Sequence, residues 1–191
     1  MIAQVSLSSE IFKNLLFTKE EQAFIDSKFE IIQLKKGEVL INPNNYINSQ
    51  YYVLDGCLRS YFVNKVGKDY TVQFAIKDWW VSDFISYFKE EKSIMSIECL
   101  KDATVCRISK ENMADLCQKF PQIEPFIRKK LERAFASFQQ RIIEYLSLPA
   151  KDRYLKFTQT YPKITECVKN YHIASYLGIT TESLSRIRKS I

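Results

Sequence analysis

Residues Asn170–Lys189 read NYHIASYLGITTESLSRIRK. Apolar residues recur at helical spacing on both sides of a single glycine. Ile173, Ala174 and Leu177 fall on one face of a first helix, and Leu184, Ile187 and Ile191 fall on one face of a second. Gly178 supplies the left-handed backbone that a tight turn between them needs. Ile179 packs in that turn, Thr180 is placed to cap the second helix, and Ala174 is small where the helices must cross closely. The spacing predicts a helix-turn-helix.

The polar side of the second helix carries the candidate DNA-binding residues Thr181, Glu182, Ser183, Ser185, Arg186, Arg188 and Lys189. Arg186 can donate two hydrogen bonds to guanine O6 and N7, and Glu182, one turn earlier, can accept from cytosine N4. Ser183, Arg188 and Lys189 suit phosphate contacts, which position without specifying. A merely solvated face with an i,i+4 Glu–Arg pair would have the same composition. Charge distribution separates the two readings. Residues 1–127 carry 15 basic and 17 acidic side chains, a net −2, whereas residues 128–191 carry 13 and 5, a net +8. A basic C-terminal third on a near-neutral body points to a polyanion, with double-stranded DNA as the expected partner.

Working outward, Phe126–Leu148 contains neither glycine nor proline and ends at Pro149. Ile127, Leu131, Ala134, Phe138, Ile142 and Tyr145 follow one another at spacings of 4, 3, 4, 4 and 3, close to a coiled-coil seam. A helix packed only on its own domain would need a stripe as well. The persistence of the seam, widened by Phe126, Phe135, Ile143 and Leu146, favours a homodimer interface. Pro121 and Pro125 bracket a break before it, and Lys110–Lys119 reads as a shorter helix.

From Glu30 to Ser109 the pattern is β. Short runs rich in β-branched and aromatic residues (IIQL, VLI, QYYVL, LRSYFV, YTVQFAI, MSIECL, ATVCRIS) are separated by turn signals. Asp55-Gly56, Asn64–Lys68 and Lys101-Asp102 read as reversals between antiparallel strands. Many short strands at this spacing predict a jelly-roll barrel. Short helices precede it between Ser9 and Phe29, with Thr18 followed by Glu20 and Glu21 as a helix start. The fold class is therefore α+β, with residues 1–124 forming helices and an effector-type jelly roll, 125–148 a dimerisation helix, and 149–191 an all-α DNA-binding unit.

Other chemistries find little support. Cys57, Cys99, Cys106, Cys117 and Cys167 are scattered with no CxxC spacing, so no metal or cluster site is expected and the thiols read as reduced, small apolar residues. His172 is the sole histidine, read as structural or as a phosphate neighbour. No Gly-rich phosphate loop, GxSxG or HExxH occurs, so no cofactor and no enzymatic activity are expected. The first 17 residues contain Glu10 and Lys13 and no continuous apolar stretch, and no run reaches the length of a membrane span, so a cytoplasmic location without a membrane partner is expected.

KKGEVL, YYVLDGCLRSYF, SIECLKDATVCRIS, the long helix and IASYLGITTESLSRIRK together resemble the Crp/Fnr family of transcription regulators over nearly the whole chain. The resemblance implies a cyclic-nucleotide-binding-like jelly roll, a dimerisation helix and a DNA-binding helix-turn-helix. It matches Glu182 and Arg186 to the family's base-reading residues, with Thr181 where some members place another arginine. The phosphate cassette departs from the pattern. Gly-Glu is replaced by Ser82-Asp83, and the Arg-Ser or Arg-Thr about ten residues later by Ser93-Ile94. An unpaired cyclic phosphate is costly to bury, so cyclic AMP is not the expected effector. Iron–sulfur and haem sensing are not expected either, for want of cysteines before Cys57 and of a histidine in the barrel. The sequence ends just past the second helix of the motif, so the family's β-wing is not expected. Trp79, Trp80, Phe84, Tyr87 and Phe88 are either barrel core or the lining of a pocket for an unknown small-molecule effector. A sensor acting through protein contacts rather than DNA is the alternative function.

Overall fold

β-branched and aromatic residues between Glu30 and Ser109 build six antiparallel strands in the computed structural model, which describes residues 6–191. Met1–Val5, the start of the 17-residue stretch that contributes to the expectation of a cytoplasmic location, lie outside the described residues. Two short helices come first, α1 (Leu7–Ile11) and α2 (Lys19–Asp26). Thr18 caps α2 in a capping box with Glu21. The Asp26 carboxylate accepts from the Ser8 amide at 2.7 Å, tying the two helices together.

Strands β1 (Glu30–Leu34), β2 (Val39–Ile41), β3 (Ser49–Val63), β4 (Asp69–Ile76), β5 (Trp80–Val81) and β6 (Met95–Ser109) follow, with α3 (Phe84–Lys89) before β6. The main path runs β1-β6-β3-β4, with β2 also on β6 and β5 also on β3. Asn64–Lys68 reverses the chain as expected. The Asn64 amide donates to the Lys68 carbonyl at 2.9 Å, and the Asn64 side chain accepts from the Val66 and Lys68 amides.

The other two expected reversals are not reversals. Asp55-Gly56 lies inside β3 and Lys101-Asp102 inside β6, each strand being 15 residues long. The strands pair along their whole length, and register shifts between Val53 and Leu58 bend them together. Gly56 sits at the bend with φ 96°, and a Cβ there would lie 2.4 Å from the Ala103 Cβ and 2.5 Å from the Asp102 carbonyl. Glycine is thus required both by backbone conformation and by contact.

Alternation along these strands feeds packing on both faces. Val53, Leu58, Ala75, Ile97 and Val105 point into the roll. Tyr52, Cys106 and Ile108 point out beneath α1, α2, α4 (Lys110–Lys119) and the start of α5 (Ile123–Ser147). Cys57 and Phe74 point out beneath α6 (Ala150–Thr160), α7 (Pro162–Cys167), α8 (Asn170–Leu177) and α9 (Thr181–Lys189). Burial on both faces explains why the strands read as near-continuous apolar runs. Arg59, 3% exposed, binds Glu98 at 2.8 Å and Asp69 at 2.9 Å, joining β3, β6 and the start of β4 through one guanidinium.

Pro121 marks the expected break, but Pro125 lies in the first turn of α5, where a missing N–H costs no helical hydrogen bond. Phe126 and Ile127 pack on the sheet's own helices. Leu131, Ala134, Phe138, Ile142 and Tyr145 are exposed along the rest of α5, as are Phe135, Ile143 and Leu146.

The last helices dock on the sheet's β4 edge. Ser175 accepts from the Thr71 amide at 2.9 Å and donates to the Asp69 carbonyl at 3.1 Å. Arg141 of α5 donates to the carbonyls of Val72 and Thr71 and stacks over Tyr176. His172 is buried here. Desolvation, with help from nearby Arg59 and Lys169 and against Asp69, pushes it down to about 4, so it is neutral at pH 7.

The bend yields a direct test. Gly56→Ala combines a left-handed alanine with a backbone clash and should cost about 3 kcal/mol or more. Gly67→Ala, also at positive φ but with nothing within 4 Å, should cost only about 1 kcal/mol. Urea unfolding of both variants measures the gap, and equal losses would show that contact at the bend is immaterial.

Candidate nucleic-acid interface

Local sequence builds the α8–turn–α9 unit. Gly178 ends α8 with φ 68° and ψ 33°, its amide donating to the Ala174 and Ser175 carbonyls. The Ile179 amide also returns to the Ala174 carbonyl, at 3.0 Å. Thr180 then caps α9 by accepting from the Ser183 amide at 3.2 Å. Ile173, Ala174, Leu177 and Leu184 are buried together, and Ile187 is half-buried. Ile191, expected to extend that stripe, is instead 66% exposed, because α9 ends at Lys189. Gly178 carries a second constraint with no sequence signal: a Cβ there would come 2.6 Å from the ring of Tyr145 on α5.

The candidate reading face is on the outside. Thr181, Glu182, Ser185, Arg186, Arg188 and Lys189 are exposed, and Ser183 is half-buried because it takes part in the cap. Among the described residues no ion pair engages Arg186, Arg188 or Lys189. The Glu182–Arg186 ion pair of a merely solvated face is therefore not closed. Glu182 instead accepts hydrogen bonds from its own amide and from the Thr180 hydroxyl, which hold its carboxyl below the usual range, with Arg186 contributing least. The result is a short, rigidly capped helix presenting three unneutralised cations to solvent.

The residues at the cassette positions are turned on each other. Asp83, fully buried, caps α3 by accepting from the Ile85 and Ser86 amides at 3.0 and 3.2 Å. Its other oxygen accepts from the Ser93 hydroxyl at 2.7 Å. Ser93, 1% exposed, is also bonded to the Met95 backbone. A closed network of one carboxyl and one hydroxyl group, with no basic side chain among the described residues that bond to it, thus occupies these positions.

The five aromatic residues considered for a pocket are dispersed. Trp80 packs edge-on to Tyr52, at 5.3 Å, and Trp79 edge-on to Tyr161, at 5.7 Å. Phe84, Tyr87 and Phe88 cluster with one another on α3. None of the five lines the groove of about 870 Å3 between β4, α5, α6 and α8, or the smaller cleft of about 390 Å3 beside β2. Among the described residues no group of three or more His, Cys, Asp or Glu side chains could hold a metal, and no helix is long and apolar enough to cross a membrane.

Comparison with known proteins agrees with this geometry. Residues 31–120 match the cyclic nucleotide-binding domain family. The anaerobic regulatory protein of Haemophilus influenzae is 25% identical over 187 residues, covering 90% of this chain and 71% of that protein. Two solved structures share the fold: a variant of CooA from Carboxydothermus hydrogenoformans (TM-score 0.71, 16% identity, 95% of this chain and 82% of that one) and the c-di-GMP-responsive regulator CLP of Xanthomonas campestris (TM-score 0.74, 14% identity, 91% of each). The chain thus carries a cyclic nucleotide-binding domain over residues 31–120 and is similar over most of its length to bacterial transcription regulators of the Crp/Fnr kind.

Proposed function

We propose that the protein is a homodimeric, sequence-specific DNA-binding regulator that does not use cyclic AMP as its effector. In this reading residues 1–124 form the effector-type body, 125–148 the pairing helix and 149–191 the DNA-binding unit. The observation that carries it is the outer face of α9. It combines Thr181, Glu182, Ser185 and Arg186 for base edges with Arg188 and Lys189 for phosphates, on a helix whose other side is anchored in the core. Among the described residues no ion pair engages Arg186, Arg188 or Lys189, so a polyanion is the fitting counterpart.

Support for dimerisation comes from α5. Leu131, Ala134, Phe138 and Ile142 leave an exposed apolar strip along α5, ending at Tyr145, whose ring is exposed on one side and packed against Gly178 and Arg153 on the other; a two-fold axis along the strip would bury it from both copies. Support against cyclic AMP comes from the Asp83–Ser93 network. A cyclic phosphate entering there would meet a buried carboxylate instead of a guanidinium.

Four outcomes are expected. With an operator selected from random duplexes, Arg186→Ala should lose about 1–3 kcal/mol and relax specificity at one base pair. Lys189→Ala should weaken all sequences alike and lower the salt slope by about one. Unchanged operator binding by Arg186→Ala would remove α9 from the interface and favour a partner protein. In sedimentation, Phe138→Glu should shift a micromolar dimer to monomer and weaken operator binding with it. A monomeric parent protein, with DNA present, would overturn the pairing role of α5. In calorimetry, cyclic AMP should bind at least two orders of magnitude more weakly than a micromolar site, or not at all. A low-micromolar dissociation constant would refute the reading of the cassette.

A further inference from the structure

The groove of about 870 Å3 opens where β4, α5, α6 and α8 meet, and none of the cassette residues lines it. Its size is that of a small-molecule site. The sheet walls it through Thr71 and Val72, the long helix through Gln140 and Arg141, and the DNA-binding unit through Arg153 and Tyr176. Aromatic rings supply much of the rest. Tyr176 packs on Phe157 at 5.2 Å and Phe157 on Tyr161 at 5.6 Å, while Phe62 stacks on Tyr70 at 5.1 Å.

The charges of this wall do not balance. Its carboxylates are already engaged, Asp69 by Arg59 at 2.9 Å and Glu144 by Lys156 at 3.3 Å. Among the described residues Lys68, Arg141 and Arg153, which also line the groove, make no ion pair. Backbone carbonyls and rings hold the two guanidiniums instead. Arg141 donates to the Val72 and Thr71 carbonyls and lies 4.1 Å over the Tyr176 ring. Arg153 donates to the Leu148 carbonyl at 2.8 Å and the Leu177 carbonyl at 3.2 Å, and lies 5.2 Å over the Tyr145 ring. Such partners orient a guanidinium without cancelling its charge, and they leave N–H groups to spare. A purely structural role, closing the ends of α5 and α8, accounts for the carbonyl bonds of Arg153. It leaves the Arg153 Nε, shut off from water, without a partner among the described residues.

We propose that this groove binds a small aromatic carboxylate, which bridges the sheet, the long helix and the DNA-binding helices. The ring stacks among the tyrosines, and the carboxylate takes spare guanidinium N–H groups in a two-pronged contact that the planar fork favours. Gly178 and Ile179 also line the groove, so the bound molecule fastens the turn of the helix-turn-helix to β4. The site goes beyond the proposed function and holds whether or not α9 reads DNA.

The test is calorimetric titration of the full-length protein with naphthoate, beside uncharged naphthalenemethanol, non-aromatic cyclohexanecarboxylate and inorganic phosphate. Naphthoate should bind with a dissociation constant on the order of 100 micromolar, and the three comparison compounds about tenfold more weakly or worse. Arg153→Lys keeps the charge but loses the fork, so it should weaken naphthoate about tenfold and leave the alcohol unchanged. Thr160→Trp fills the groove from an exposed position on α6, away from the pairing helix. It should block naphthoate while unfolding at the parent temperature, so the outcome does not hang on a buried replacement. Bound naphthoate should also slow amide exchange in α8. No binding of naphthoate at millimolar concentration would overturn the proposal. So would equal binding of any comparison compound, indifference to Thr160→Trp or Arg153→Lys, or unchanged exchange in α8. None of these readouts involves DNA, so a failure here is distinct from a failure of the proposed function.

Discussion

The pairing of β3 with β6 is the constraint on which everything else rests. Both strands are 15 residues long, and they stay in contact around a bend that only Gly56 permits. Because side chains alternate, one ladder supplies the interior of the roll and both of the clusters on which helices pack. A slip of one residue would send Leu58 and Val105 outward and Cys57 and Cys106 inward, losing all three clusters together. The Arg59 guanidinium reinforces the ladder beyond the bend by tying Glu98 and Asp69 to one buried charge.

What was legible in the sequence follows from how local each determinant is. The helix-turn-helix could be read because its signals lie within 20 residues: a glycine at the left-handed position, a threonine cap and apolar residues three and four apart. The Asn64–Lys68 turn was readable for the same reason. The Asp55-Gly56 and Lys101-Asp102 pairs were misread because their partner is each other, across some forty-five positions, and a bulged bend uses the same residues as a tight turn. Ser175, which fastens α8 to β4 from more than a hundred residues away, has no distinguishing local pattern at all. α3 was missed because the residues that cover it are drawn from an otherwise β-rich stretch.

The two ends of the molecule relate to their family differently. On α9 the expected residues are exposed, apart from the half-buried Ser183. At the cassette the expected residues are replaced, and the replacements are mutually satisfied: Asp83 has three donors and Ser93 bonds to it and to the backbone. A network so supplied with partners is a structural element in its own right.

β4 is the outer strand of the sheet's main path, and such a strand ordinarily advertises unsatisfied amides and carbonyls to any other chain that passes. Here four such groups at the start of the strand, the Thr71 amide and the Asp69, Thr71 and Val72 carbonyls, are taken by Ser175 from α8 and by Arg141 from α5. α8 and α5 are thereby also the guard of part of the sheet's open border. Every excursion that carries them away uncovers a sticky seam, so the motion has a built-in penalty in solubility. Selection on how far and how long these helices may swing is then partly selection against self-association, independent of any operator they read.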